Sequence, residues 1–412
     1  MSASYLLRCI ECDAAYEPGP TRLVCSECAP AQEPGGATRG QLWVDMDILP
    51  RELSMDALRT RAGLAEYLPI RSAEHLAPLA VGGTPLLPVP RLRERLGLPG
   101  LWIKDDTRNP SGSTKDRASQ LVVAKAIEYG FGTVAAASTG NAATALAACC
   151  ASAGLRAVVF VPASAPQAKL VQMASYGAEL VLVDGTYDQA FDLSIHACER
   201  YGWYNRNTAL NPYTVEGKKT AGLEIAAQLL PQEADVVVVP VGDGVIISGL
   251  AKGFKDLVKA GSISRPPRLI AAQAEGSDAI FRALGAEGQK LESVRACSAA
   301  DSLNVDVPRG GLQAIREISA SNGAAVRVPE EALLAGIGEL ARGSGVFAEP
   351  SSATAFAALP IALEQGLIRR QETVVVLITG TGLKDVGAAS RGLDLGLPIE
   401  PRLSALDGRF AS

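Results

Sequence analysis

Four of the eight cysteines of this 412-residue chain crowd into its first 28 residues, as Cys9-x2-Cys12 and Cys25-x2-Cys28. Two such turns present four sulfurs to one ion, and in a reducing compartment they favour tetrahedral thiolate zinc over disulfides. The expected ligands are Cys9, Cys12, Cys25 and Cys28, and the expected zinc is structural, because a four-sulfur shell leaves no open position for chemistry. Cys149, Cys150, Cys198 and Cys297 lack this spacing and read as buried thiols. Three loops of small residues carry the other candidates. Asn109-Pro110-Ser111-Gly112-Ser113-Thr114-Lys115-Asp116-Arg117 delivers a lysine at the start of a helix. There the positive end of the helix dipole lowers the amine pKa and favours a neutral nucleophile. The plain alternative is a solvated first-turn lysine. Gly112 is followed by Ser-Thr-Lys-Asp, which misses the Walker spacing and excludes a nucleotide P-loop. Ala137-Ser138-Thr139-Gly140-Asn141 opens an alanine-rich helix with amides and hydroxyls suited to a carboxylate, and with an asparagine able to donate to a phenolate-like oxygen. The same residues also make a good helix cap. Pro240-Val241-Gly242-Asp243-Gly244 follows an apolar run, and its two glycines let amides close on a phosphate provided that Asp243 points away.

The elements that must position these loops read clearly from residue 101 onward. Short apolar, mostly β-branched runs at 155–161, 179–183, 235–240, 269–274, 324–328 and 373–379 are separated by helical periodicity near 117–129, 142–153, 167–176, 187–201, 215–229 and 247–260. That alternation predicts an α/β protein with largely parallel sheets. The stretch 30–40 reads as a linker, and 42–101 is mixed, with a turn at Val81-Gly82-Gly83-Thr84-Pro85. Lys and Arg number 39 against 44 Asp and Glu, a net charge of −5, so neither nucleic acid nor an anionic membrane is an expected partner. No apolar run approaches the roughly 18 residues of a bilayer span and the start carries no secretory pattern, so the chain reads as cytoplasmic. With only His75 and His196, most histidine catalysis and histidine metal sites lose their raw material.

Taken in order, the three loops resemble those of the fold-type-II pyridoxal-phosphate enzymes, and most closely those of the threonine synthase family. The resemblance extends over the cysteine pairs, Gly82-Gly83-Thr84-Pro85-Leu86, Asn211-Pro212-Tyr213-x-Val215-Glu216-Gly217-x-Lys219-Thr220, Glu349-Pro350-Ser351-Ser352-Ala353 and Thr379-Gly380-Thr381-Gly382-Leu383-Lys384-Asp385. It implies two three-layer α/β domains like those of tryptophan synthase β, with residues 41–130 and 210–412 forming the large one and 131–209 the small one. A zinc-ribbon-like segment and linker at 1–40 precede them. It further implies pyridoxal 5'-phosphate as cofactor, joined to Lys115 as a Schiff base, with Asn141 at its 3-oxygen. The amides of Gly242, Asp243, Gly244, Val245 and Ile246 would surround its phosphate, and Thr379 would face its pyridine nitrogen. A neutral hydroxyl there leaves the ring a weaker electron sink than an aspartate partner does, which suits elimination and replacement. Ser138, Thr139 and Gly140 would hold the substrate carboxylate.

The implied activity converts O-phosphohomoserine and water into threonine and phosphate by γ-elimination and β-addition, in a homodimer acting on a small amino acid. Several positions depart from the family. Thr114 replaces an aromatic, Asp243 an asparagine and Ala142 a threonine, and Thr214 stands where an arginine grips the substrate phosphate. Lys218, one turn beyond Thr214 on the same helical face, is expected to supply the missing cation, although a point charge lacks the guanidinium fork. Otherwise it is a solvated surface lysine. The missing arginine favours, as an alternative, a sibling lyase performing β-elimination on threonine or serine, or β-replacement on an activated serine. The intact Lys115 loop opposes a third reading, a scaffold with a vestigial cofactor fold.

Overall fold

Three sheets carry the chain in the computed structural model, which describes all residues except 1–4, 34, 139, 164–166, 392, 394–395 and 407–412. The largest sheet runs, edge to edge, Ala324–Val328, Arg268–Ala274, Val236–Pro240, Val374–Ile378, Leu101–Asp105 and Leu86–Pro88. Every neighbouring pair in it is parallel except the last. The two central strands read VVVVP and VVVLI and are buried along their whole length, as parallel strands covered on both faces must be. A second, all-parallel sheet has the order Glu179–Val183, Arg156–Pro162, Thr133–Ala137, Tyr204–Asn205. The third is a small antiparallel sheet in which Tyr5–Cys9 lies between Ala15–Tyr16 and Leu42–Met46. It carries the cysteine knuckle. The architecture is thus α/β with largely parallel sheets, plus an N-terminal four-cysteine unit.

Three helices fix the centre of the molecule: Lys115–Glu128, Tyr213–Leu229 and Val245–Ala260. They approach closely because glycine stands at their crossings. A Cβ on Gly217 would lie 2.4 Å from the Arg117 carbonyl oxygen, and one on Gly249 would lie 2.6 Å from Lys218 Cβ. A buried ionic cluster then locks the first helix to the second. Arg117 donates to both oxygens of Asp106 (2.7 Å each) and to both of Glu224 (2.7 and 2.9 Å), while Lys104 Nζ reaches Glu224 at 2.6 Å. Glu224 also accepts the Gly83 amide at 2.8 Å, tying in the glycine turn before Leu86–Pro88. Paired bidentately, all four charges satisfy one another, which is the condition under which ions survive burial.

The end of the expected linker touches both of its neighbours: the Gly40 carbonyl accepts the Cys25 amide of the knuckle (2.8 Å), and the Thr38 amide donates to the Arg309 carbonyl (2.9 Å). One reading needs correction. Cys149, Cys150 and Cys198 are buried thiols, but Cys297 is exposed, because it lies in an irregular stretch with no apolar period to turn it inward.

Candidate functional site

Neighbouring parallel strands bring their carboxyl ends together, and there the loops that follow them meet. Pro240 leads into the glycine loop and the Val245–Ala260 helix, and Ile378 leads into Thr379 one strand away. The lysine loop is stitched to that second end. The Thr114 amide donates to the Thr379 carbonyl at 2.8 Å, and the Thr381 amide to the Gly112 carbonyl at 3.0 Å. Lys115 is therefore the first residue of its helix and stands at the mouth of the sheet. From the other sheet, Thr133–Ala137 delivers the Asn141–Ala153 helix to the same place. The resulting cleft, with about 590 Å³ of free space, is lined by Lys115, Asn141, Thr208, residues 240–247, Glu349 and Thr379 among others.

Each wall has defined chemistry. Burial holds the Lys115 amine below its ordinary pKa and the Arg206 charge adds to this, against the opposing pull of Asp243 and Glu349. Gly244 has φ +87°, and a Cβ there would lie 2.7 Å from Ala314 Cβ; at Gly242 it would lie 2.9 Å from Leu303 Cα. Only glycine fits this turn. Gly244 also caps the following helix without a side chain, so no side-chain acceptor meets the first-turn amides, as an anion site requires. Asp243 does turn aside: its Oδ1 accepts the Arg309 amide at 3.1 Å. Asn141 Nδ2 donates to Glu349 Oε1 (2.9 Å) and Oε2 (3.1 Å), and burial pushes the Glu349 carboxyl up. Thr379 Oγ1 lies 2.8 Å from Ser352 Oγ, which accepts the Gly380 amide at 2.8 Å. Ser138 Oγ accepts the Gly140 amide at 3.2 Å at the start of the asparagine helix. Thr139 lies outside the described residues.

The cations are less conventional. Lys218 is fully buried, and among the described residues its Nζ has no hydrogen-bond partner. Burial drives its amine well below the ordinary value, and the charges of Lys115 and Arg206 press in the same direction. It is not a solvated surface lysine. Arg206, which the loop reading overlooked, is also buried. Its guanidinium donates to Thr208 Oγ1 (2.7 Å) and Ser119 Oγ (3.3 and 3.4 Å), and among the described residues no carboxylate pairs with it. Burial brings it down to about 10. Ser119 lies one turn along the helix from Lys115, and Lys218 feels the charges of both Lys115 and Arg206, so the three basic side chains lie near one another, with Lys115 lining the cleft. Glu349 was overlooked as a site residue even though its motif was noticed. Arg206 had no local signal, since it follows a strand of only two residues.

The four knuckle sulfurs lie within 4.8 Å of one another. The Glu11 amide donates to Cys9 Sγ at 3.4 Å, and the Tyr16 hydroxyl lies 3.0 Å from Cys25 Sγ. At Cys25, hydrogen bonds from Tyr16 and the Cys28 and Glu27 amides outweigh burial and bring the thiol down to about 6. Four sulfurs gathered this closely suit a tetrahedral thiophilic ion.

Residues 77–380 match the family described as "Pyridoxal-phosphate dependent enzyme". The chain belongs to this family, and its α/β architecture with a lysine at the mouth of a parallel sheet is that of a fold-type-II pyridoxal-phosphate enzyme. Within the family it is closely related to threonine synthase. It is 34% identical over 407 residues to the threonine synthase of Methanocaldococcus jannaschii, covering 97% of this chain and 98% of that protein. It is 36% identical over 388 residues to that of Methanosarcina acetivorans, covering 92% of each. Maize serine racemase shares the fold, with a TM-score of 0.65 at 22% identity over 84% of this chain and 95% of that one. The glycine cradle, the uncapped helix and the buried lysine amine fit the cofactor that the family takes its name from.

Proposed function

We propose that the protein is a threonine synthase, a lyase that converts O-phosphohomoserine and water into threonine and inorganic phosphate. The observation that carries this reading is its match to threonine synthases over nearly the whole length of both chains. Bound in the cleft, pyridoxal phosphate supplies an electron sink for bond-breaking at the amino acid's α- and β-carbons. In this reading Lys115 holds the cofactor, with Asn141 at its 3-oxygen and the amides of Gly242 to Ile246 around its phosphate. Ser352 gives its proton to Thr379, leaving the Thr379 hydroxyl proton for the ring nitrogen. Glu349 fixes the Asn141 amide so that its second N–H faces the ring. Ser138, Thr139 and Gly140 receive the substrate carboxylate at a helix N-terminus. As a free amine, Lys115 would move protons at the α-, β- and γ-carbons, a task suited to an amine whose pKa burial has lowered.

The substrate phosphate falls to Lys218 and Arg206. A buried amine without a hydrogen-bond partner and a buried guanidinium without a carboxylate partner are costly until an anion arrives, and the amine meets that anion by taking up a proton. A phosphate monoester supplies two charges and three strong acceptors. Arg206 thereby returns the guanidinium that Thr214 removes from the helix. The cysteine knuckle holds a structural zinc, residues 131–209 form a small domain that carries the carboxylate loop, and the enzyme works as a cytoplasmic homodimer. Product analysis tests the reading, with O-phosphohomoserine, threonine, serine and O-phosphoserine offered in parallel to the holoenzyme. Threonine and phosphate in equal amounts from the first are expected. An oxo acid and ammonia from threonine or serine, with O-phosphohomoserine untouched, would move the assignment to a β-eliminating sibling.

A further inference from the structure

One side chain joins the cysteine knuckle to the cleft. Gln41 is 3% exposed, and its backbone is gripped by both cysteine turns. The Ile10 amide, between Cys9 and Cys12, donates to the Gln41 carbonyl at 3.1 Å, and Val24, beside Cys25, forms a β-bridge with Gln41. Its preceding residue is held too, since the Cys25 amide donates to the Gly40 carbonyl at 2.8 Å. The side chain leaves the knuckle and enters the body of the protein. Its Nε2 donates to the Ala209 carbonyl at 3.1 Å and to the Arg309 carbonyl at 3.3 Å. Both partners are acceptors, so the amide has one workable orientation: flipped, its oxygen would face two carbonyls.

Both acceptors belong to segments that hold the phosphate loop. The Arg309 amide donates to Asp243 Oδ1 (3.1 Å), and the next amide, of Gly310, donates to the Asp243 carbonyl (2.9 Å). Gly310 is also the floor under Gly244, where a Cβ would meet its carbonyl oxygen at 2.9 Å. Ala209 is held at φ +66°, a conformation that a non-glycine residue keeps only where its surroundings enforce it. Its methyl packs with Val215 and with Val245, the first residue of the helix whose amides would receive the cofactor phosphate. The Gln41 amide therefore spans from the cysteine turns to both supports of the glycine loop.

We propose that Gln41 is a positioning residue for the cofactor-phosphate loop, through which an ordered four-cysteine knuckle strengthens binding of phosphate-bearing cofactor. The coupling is reciprocal, as linkage requires: filling the cleft tightens the hold of the knuckle on its metal. This rests on the cofactor part of the functional reading alone, and its test uses no substrate, so the identity of the amino acid turned over does not affect it.

Full-length protein, resolved of cofactor, is titrated with pyridoxal phosphate and with pyridoxal, before and after removal of metal by a chelator. In Gln41→Met, which matches the length but has no donors, the backbone bonds remain, and the metal content should equal that of wild type. Two hydrogen bonds are lost, so the affinity for pyridoxal phosphate should fall about tenfold, while pyridoxal, which lacks the phosphate, should bind as to wild type. Chelation should weaken pyridoxal phosphate binding to wild type by a similar factor and add little to the loss in Gln41→Met. If Gln41→Met loses its metal, Gln41→Leu, which also lacks donors and keeps the backbone bonds, carries the same comparison. Unchanged affinity in the variant, or an equal loss for pyridoxal and pyridoxal phosphate, would overturn the proposal. So would chelation that leaves wild-type affinity intact.

Discussion

Replacing Lys218 by methionine should make the free protein more stable and the enzyme worse. A buried donor without a partner costs roughly 1–3 kcal/mol, and the Lys218 amine is such a donor. Methionine fills nearly the same volume without a charge and adapts to irregular gaps. The urea midpoint of Lys218→Met should therefore rise by the equivalent of about 1–3 kcal/mol. Binding should move the other way. A charge-assisted contact to phosphate contributes about 1.5–3 kcal/mol, so the KM for O-phosphohomoserine should rise roughly tenfold to a hundredfold. Binding of an unphosphorylated amino acid, followed by cofactor absorbance, should stay as in wild type. The pH behaviour adds a third readout. Burial and neighbouring cations keep the Lys218 amine low in the free protein, and a phosphate dianion beside it raises its pKa, so phosphate binding takes up a proton. Calorimetry in buffers of different ionisation enthalpy should detect that uptake in wild type and not in the variant. An unchanged KM together with a lower urea midpoint would refute the reasoning, because Lys218 would then be a structural residue whose partner lies elsewhere.

Lys115→Ala should abolish turnover, and borohydride reduction of wild type should trap the cofactor on the peptide containing Lys115; a trapped peptide from elsewhere would reject the assignment. Glu224→Gln leaves Arg117 and Lys104 short of a counter-charge and should cost about 3–5 kcal/mol in denaturant unfolding. Burial alone would raise Glu224, but the charges of Arg117 and Lys104 hold it well below its ordinary 4.5. Its contribution is therefore complete above about pH 4.5 and is lost as pH falls toward the depressed value. Glu224→Gln should accordingly flatten the acid side of the stability profile. Cys9→Ser should lower the metal content below one ion per chain and reduce thermal stability while leaving kcat at saturating cofactor close to wild type, as metal analysis and assays on one preparation will show.

Much of the scaffold was legible because its signals are local. Glu179–Val183, Ala324–Val328 and Tyr187–Tyr201 read to the residue, and 373–379 became Val374–Ile378, since β-branched runs and a capped amphipathic helix announce themselves within one window. Thr133–Ala137 was missed because TVAAA has little strand preference, its place being set by Arg156–Pro162 and Tyr204–Asn205 on either side. Pro350–Glu364 was missed because it is apolar on nearly every face and contains Pro360, so no period survives. Leu101–Asp105 hides behind Lys104, a charge that becomes buried only because Glu224 arrives from a distant helix. The same reason divides the candidate site. Lys115 and the glycine loop are visible as small-residue turns opening helices, whereas Arg206 and Glu349 are ordinary charged residues until tertiary packing buries them. Lys218 was half legible: its helical face follows from spacing, but its burial depends on Gly249 of another helix.

The most direct test of the account is the fate of water in the reaction. Holoenzyme acting on O-phosphohomoserine in oxygen-18 water should break the Cγ–O bond and place the new hydroxyl at Cβ. Mass spectrometry should find one labelled oxygen in the threonine hydroxyl and none in the released phosphate. Label in phosphate with homoserine as the product would mean phosphate-ester hydrolysis, and oxobutyrate with ammonia would mean deamination; either would contradict the account.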